Sequence, residues 1–125
     1  MLLDTHTLLW FLDDDPQLPS VVRERIENAD TSFVSIVSLW EIAIKISIGK
    51  LRLNYSFHDL QDLLDRFEIE VLPLAFTDIE QYLNLPLHHR DPFDRMLIAQ
   101  AMSHDLTLIS RDEQFDAYSI QRSRE

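Results

Sequence analysis

The 125-residue chain contains no cysteine, which excludes disulfides, thiolate zinc sites and cysteine nucleophiles. It has one glycine, Gly49. Gly-rich phosphate loops and dinucleotide fingerprints need several glycines, so that backbone N–H groups can approach a phosphate closely. The G-x-S-x-G turn of the α/β-hydrolases is missing as well. Any phosphate chemistry here needs another device. No apolar run approaches the ~18 residues of a membrane span. Met1-Leu2-Leu3-Asp4 lacks the basic, apolar and small-residue order of a secretory signal. A cytoplasmic protein without membrane contact is the expectation. Positive charge is scarce, with 11 Lys and Arg against 22 Asp and Glu, a formal net charge of −11. Affinity for a nucleic-acid backbone comes mainly from Lys and Arg displacing counterions. Charge alone therefore points to a basic protein partner.

What is present suits one domain over residues 1–125, since the hydrophobic fraction of 46% is ordinary for a globular chain. No repeat or low-complexity tract interrupts it. The pattern predicts a first strand at Met1–Asp4 and helices at Thr7–Leu12 and Pro19–Asn28. A second strand at Ser32–Val34 follows, then a helix at Ile36–Ile48, capped by Ser35 and stopped by Gly49. Leucines at helical spacing mark Phe57–Phe67, and Glu70–Leu72 predicts a strand. Thr77-Asp78-Ile79-Glu80 matches a capping box that would open a short helix. Pro92 opens a helix over Phe93–His104. Thr107–Ile109 is the next strand, with one turn at Glu113–Asp116 and a short strand near Ser119–Gln121. Strands separated by helices define an α/β class with a parallel sheet sandwiched by helices.

Four acids occupy related positions in this scheme. Asp4 ends the first strand, and Asp112 follows the last long one. Glu41 lies in the first half of the helix after Ser32–Val34, and Asp94 in the first turn of the helix opened by Pro92. In a parallel sheet, strand C-termini and the helix N-termini after them lie along one edge, where ligands bind. Like charges within ~4–6 Å disfavour one another's ionisation. Helix N-termini offset only part of that. A hard dication such as Mg²⁺ or Mn²⁺ offsets more, can activate water and can neutralise a phosphodiester in flight. The bland alternative is that Asp at helix starts serves for capping alone. With 22 acids in the chain, four near element ends can also arise by chance.

The strings around these acids carry a resemblance. Leu2-Leu3-Asp4-Thr5-His6 with Leu8-Leu9-Trp10, then Val34-Ser35 and Ser38-Leu39-Trp40-Glu41-Ile42, resemble the opening half of PIN-domain toxins of the VapC type. His89-Arg90-Asp91-Pro92-Phe93-Asp94 through Ala101 resembles the third family motif, and Leu106 to Asp112 with Phe115 the fourth. Each string alone is weak, but four in order with family-like spacing are specific. The resemblance implies a PIN-like α/β/α fold and Mg²⁺- or Mn²⁺-dependent hydrolysis of RNA. It also implies a homodimer, inhibition by a cognate antitoxin, and DNA contact only through that antitoxin. Asp4, Asp94 and Asp112 would hold metal, and Glu41 would be a ligand or position the attacking water. Asp91 competes with Asp94 for the third place, Ser110 could orient the water, and Asp116 is a candidate outer ligand. An antitoxin with a basic segment would match the acidic balance. RNA contact would then fall to Lys45, Arg90, Arg95 and Arg111, although each arginine could be plain surface charge and Lys45 could simply pair with Glu41.

Blander roles are expected elsewhere. His88-His89 suits a loop or RNA contact better than metal ligation, and His6 a cleft wall. Trp10, Trp40 and Phe93 are expected as core or dimer contacts. Leu60, Leu63, Leu64 and Phe67 form an apolar stripe for the core or for a partner groove. The competing functional class is a catalytically silent PIN-like interaction module, disfavoured because a scaffold has no need of clustered repulsion. A phosphoacceptor receiver domain fits worse. Asp13-Asp14-Asp15 follows a helical stretch rather than a strand, and no lysine comes after Lys50.

Overall fold

The computed structural model describes residues 1–86 and 91–111, and the backbone of 122–123. Its elements run β1 (Leu2–Leu3), α1 (Thr5–Leu12), α2 (Ser20–Asn28), β2 (Ser32–Ser35), α3 (Ile36–Ser47), α4 (Phe57–Arg66), β3 (Ile69–Leu72), α5 (Phe76–Leu83), α6 (Pro92–Ser103), β4 (Leu108–Ile109) and β5 (Arg122–Ser123). All strands pair in parallel, in the order β3-β2-β1-β4-β5. β1 is central, pairing Leu2 with Phe33 on one side and with Leu108 on the other.

The two-residue period of a strand sends successive side chains to opposite faces, and a sheet covered on both faces needs apolar residues at both. Leu3 and Ile109 enter a core with Leu8 and Phe11 of α1, Val22 and Ile26 of α2, Ile42 of α3 and Leu60 and Leu64 of α4. Leu2 and Leu108 enter a second core with Leu97, Ile98 and Ala101 of α6. The sheet is thus sandwiched by helices, as predicted. Among the described residues no helix is long and apolar enough to cross a membrane.

Three boundaries differ from the sequence pattern for identifiable reasons. α1 begins at Thr5 rather than Thr7, because the Asp4 carboxylate accepts the Thr7 amide at 2.8 Å and caps the helix directly after β1. α5 begins at Phe76, one residue before the proposed Thr77–Glu80 box. Asp78 instead accepts the amide of Ala75 at 2.9 Å. Asp78 is fully buried and also held by Gln100 of α6 and by His104, which caps that helix, so tertiary partners set the start of α5. The last strand lies at Arg122–Ser123; the turn expected at Glu113–Asp116 and the strand at Ser119–Gln121 fall outside the described residues. Gly49 behaves as expected, with φ +74° and a Schellman ending in which the Gly49 amide donates to Ile46 and that of Lys50 to Lys45.

Candidate active site

Strand order reverses on either side of β1, with β2 and then β3 to one side and β4 to the other. A crevice at the C-terminal edge is expected at such a switch point. Asp4 sits there, its backbone amide donating to Ile109 of β4 at 3.1 Å. α3 follows β2 directly, with Ser35 capping it through the Val37 amide at 3.0 Å. That start places Glu41 in the second turn of α3. α6 is opened by Pro92 and capped by Asp91, whose Oδ1 accepts the amides of Phe93 at 2.8 Å and Asp94 at 3.2 Å. Trp40 and Phe93, each immediately before an acid, meet edge to face with centroids 5.4 Å apart. That contact fixes α3 against α6 beside the carboxylates.

Asp4, Thr5, His6, Glu41, Lys45, Asp91 and Asp94 line one cavity of about 120 Å³. Asp4 and Glu41 are buried at 7% and 8% exposure, so their charges lie largely out of bulk water. Glu41 is fixed from both sides. Its Oε1 accepts the Thr5 hydroxyl at 2.7 Å, and its Oε2 pairs with Lys45 Nζ at 3.1 Å. Among the described residues the lining carries four carboxylates against one ammonium. Hard oxygen donors with that charge balance match the chemistry of a small dication. Among the described residues alone, no three Asp, Glu or His side chains already stand at metal-binding spacing. Asp112, the fourth expected acid, lies outside the described residues, as do Asp116, Arg90 and His88-His89.

Asp4, Glu41 and Asp94 thus share a cavity, and Asp91 joins them. Lys45 is present through its pairing with Glu41. Ser110 is fully buried after β4. Arg95, expected to touch RNA, corrects that expectation. It is 6% exposed, donates to the carbonyls of Pro86 (3.1 Å) and Tyr82 (3.4 Å), and lies over the Tyr82 ring, which makes it an anchor between α6 and the end of α5. Arg111 is exposed, with its guanidinium 5.3 Å from the centroid of the Trp10 ring. Trp40 is 62% exposed and therefore not core.

The sequence pattern missed Thr5. Its signal was position, the first helical residue after Asp4, where a buried hydroxyl needs a partner. A larger cavity of about 560 Å³ lies between α3 and α4, lined by Ile36, Leu39, Trp40, Phe57 and Leu64 among others. It is apolar, and its described lining offers no carboxylate, whereas the described lining of the smaller one gathers four.

Comparison with known proteins bears on the family and the fold. The family model for the PIN domain matches residues 1–121. The chain is 26% identical over 121 residues to Ribonuclease VapC22 of Mycobacterium tuberculosis (strain ATCC 25618 / H37Rv), covering 94% of this chain and 91% of that protein. In fold it is similar to a chain of VapBC2 from Rickettsia felis, solved bound to a DNA fragment from its promoter, with TM-score 0.73, 16% identity and coverage of 98% and 96%. VapBC-1 from nontypeable Haemophilus influenzae gives TM-score 0.71 at 18% identity, again covering 98% and 96%.

Proposed function

Because the chain belongs to the PIN-domain family, we propose that it is a divalent-metal-dependent endoribonuclease acting in the cytoplasm as the toxin of a toxin–antitoxin pair. The observation that carries this is the gathering of Asp4, Glu41, Asp91 and Asp94, from three separate elements, around one cavity at the switch point of the sheet. The likeness to a protein named a ribonuclease supports the substrate. The likeness to VapBC structures supports an antitoxin partner.

In this reading Asp4 and Asp94, with Asp112, hold Mg²⁺ or Mn²⁺. A bound dication there supplies charge neutralisation for the phosphodiester and a more acidic water. The chain's own groups do the positioning. Thr5 and Lys45 hold the Glu41 carboxylate in one orientation, suited to directing an attacking water. Asp91 fixes the first turn of α6, so the N–H groups and dipole of that helix favour negative charge at the cavity. The apolar groove between α3 and α4 suits an amphipathic antitoxin helix. A basic antitoxin segment would meet the carboxylates, and the active toxin would be a homodimer.

The test is cleavage of single-stranded RNA with Mn²⁺ by Asp94→Asn and the parent. Loss of at least about a hundredfold is expected, since changes even to residues around metal ligands cost 10–100-fold. EDTA should stop the parent. A variant that cuts at the parent rate removes Asp94 from the mechanism, and a parent indifferent to EDTA removes the metal.

A further inference from the structure

Beside the carboxylates stand planar groups for which the chemistry above has no use. His6 and Trp10 are four residues apart on α1 and so share one helix face. Their ring centroids are 6.0 Å apart, with the planes tilted by 38°. His6 is exposed and lines the carboxylate cavity. Trp10 is half-buried, packed against the core that contains Leu8 and Phe11. Its backbone is pinned, with the carbonyl accepting the Asp15 amide at 2.9 Å and Arg23 Nη2 at 3.3 Å. The exposed Arg111 guanidinium, following β4, lies over the same indole. The three groups make a ladder whose first rung borders the cavity.

We propose that His6 and Trp10, the latter covered by the Arg111 guanidinium until RNA arrives, form a stacking platform that seats one unpaired nucleobase of the RNA beside the phosphodiester to be cut. This rests on the nuclease reading above. Bases inside a duplex offer only their edges, whereas bases splayed from single strands stack on aromatic rings and guanidinium planes. The platform also answers the charge problem of the sequence. A protein with net charge −11 gains little from phosphate contacts. Stacking is insensitive to net charge and supplies affinity by a different route.

Relative strengths decide what happens to Arg111. An exposed cation–π pair is worth roughly two- to fivefold in an equilibrium constant. A stacked base on an aromatic ring is worth about five- to a hundredfold. A base therefore displaces the guanidinium from the indole and leaves it to pair with a neighbouring phosphate.

The chain has two tryptophans, Trp10 and Trp40, so Trp40→Phe leaves Trp10 as the sole indole reporter. In a Trp40→Phe/Asp94→Asn protein, a single-stranded RNA oligonucleotide should quench Trp10 fluorescence. An abasic residue at one position of the strand should weaken binding about tenfold. Log affinity should fall with log salt at a slope of only about −0.7 to −1.4, the signature of one or two phosphates. In otherwise unaltered protein, Trp10→Leu should raise KM for RNA about tenfold while changing kcat less than about threefold, with Trp10→Phe recovering most of the loss. His6→Ala, at an exposed position, should act in the same direction without a folding defect. RNA that quenches Trp10 yet is never cut with Mn²⁺ keeps the platform and removes the nuclease. RNA cut with a KM indifferent to both Trp10 and His6 keeps the nuclease and overturns the platform, as does binding without any quench.

Discussion

Two sets of buried carboxylates in this molecule look alike by exposure and differ in what surrounds them. Asp78 is fully buried, and Asp4 and Glu41 nearly so. Asp78 meets the Ala75 amide at 2.9 Å, Gln100 Nε2 at 3.3 Å and His104 Nε2 at 3.2 Å. All three come from α5, its N-cap or the helix packed against it, and Gln100 also ties the pair to the Pro73 carbonyl. That carboxylate is a joint between α5 and α6. Asp4, Glu41, Asp91 and Asp94 are instead assembled around a cavity, with Lys45 the one lysine or arginine among the described lining residues. Burial alone does not separate a structural acid from a site acid. The separating feature is what the carboxylate faces: Asp78 a packed joint of donors, the other four a shared space with one another.

The widest gap between the two sets should appear in paired variants. Asp4→Asn should abolish RNA cleavage, by about a hundredfold or more, and leave Tm unchanged or higher. Asparagine caps a helix as well as aspartate, so the bond to the Thr7 amide survives while one like charge leaves the cavity. Asp78→Ala should do the reverse. It strands the Ala75 amide and takes from Gln100 one of its two acceptors, at a cost of roughly 2–3 kcal/mol, which for a chain of this size lowers Tm by about 10 °C. Cleavage per folded molecule should persist. Calorimetry of the two variants beside a cleavage assay decides it, and equal losses of Tm would dissolve the distinction.

Lys45 sharpens the comparison from the cation side. Its pairing with Glu41 is an i,i+4 contact in the favourable orientation, worth a few tenths of a kcal/mol for folding. Its larger effect is on the charge of the cavity. Lys45→Met should lower Tm in EDTA by about 1–2 °C and enlarge the Tm gain on adding Mn²⁺, because one competing positive charge is gone. A Mn²⁺ response equal to that of the parent would mean that the ammonium does not compete at this site.

Much of this was legible before any coordinates. The alternation of strands and helices gave the parallel sandwich, because apolar pairs such as Leu2-Leu3 and Leu108-Ile109 can face two cores only in a sheet covered on both sides. Asp4, Glu41 and Asp94 could be named because the edge of such a sheet gathers strand ends and helix starts. Side-chain partners could not be read in this way. Arg95 sits one residue beyond Asp94, and nothing local distinguishes a cleft arginine from one turned into the joint with Tyr82 and Pro86. The start of α5 was misplaced for the same reason, since Gln100 and His104, more than twenty residues later, fix Asp78. Thr5 was passed over because its partner Glu41 lies 36 residues away.

A third acidic group tests the rule at its weakest setting. Asp13 ends α1 in the run Asp13-Asp14-Asp15, where its side chain is exposed. Burial first and the Asp15 charge second push its carboxyl above the ordinary value of 3.8. Its ionised form is therefore less favourable in the folded chain than in the unfolded one, and at neutral pH the charge opposes folding. Asp13→Asn should raise Tm at pH 7, by no more than about 2 °C, since substitutions at exposed positions stay within about 0.5 kcal/mol. The gain should shrink as pH falls through the raised folded value and vanish below 3.8, where the carboxyl is neutral in both states. Cleavage should be unaffected throughout. A gain that persists at low pH would assign the effect to the exchange of side chains rather than to the charge, and crowding of acids would then carry no cost at the end of α1.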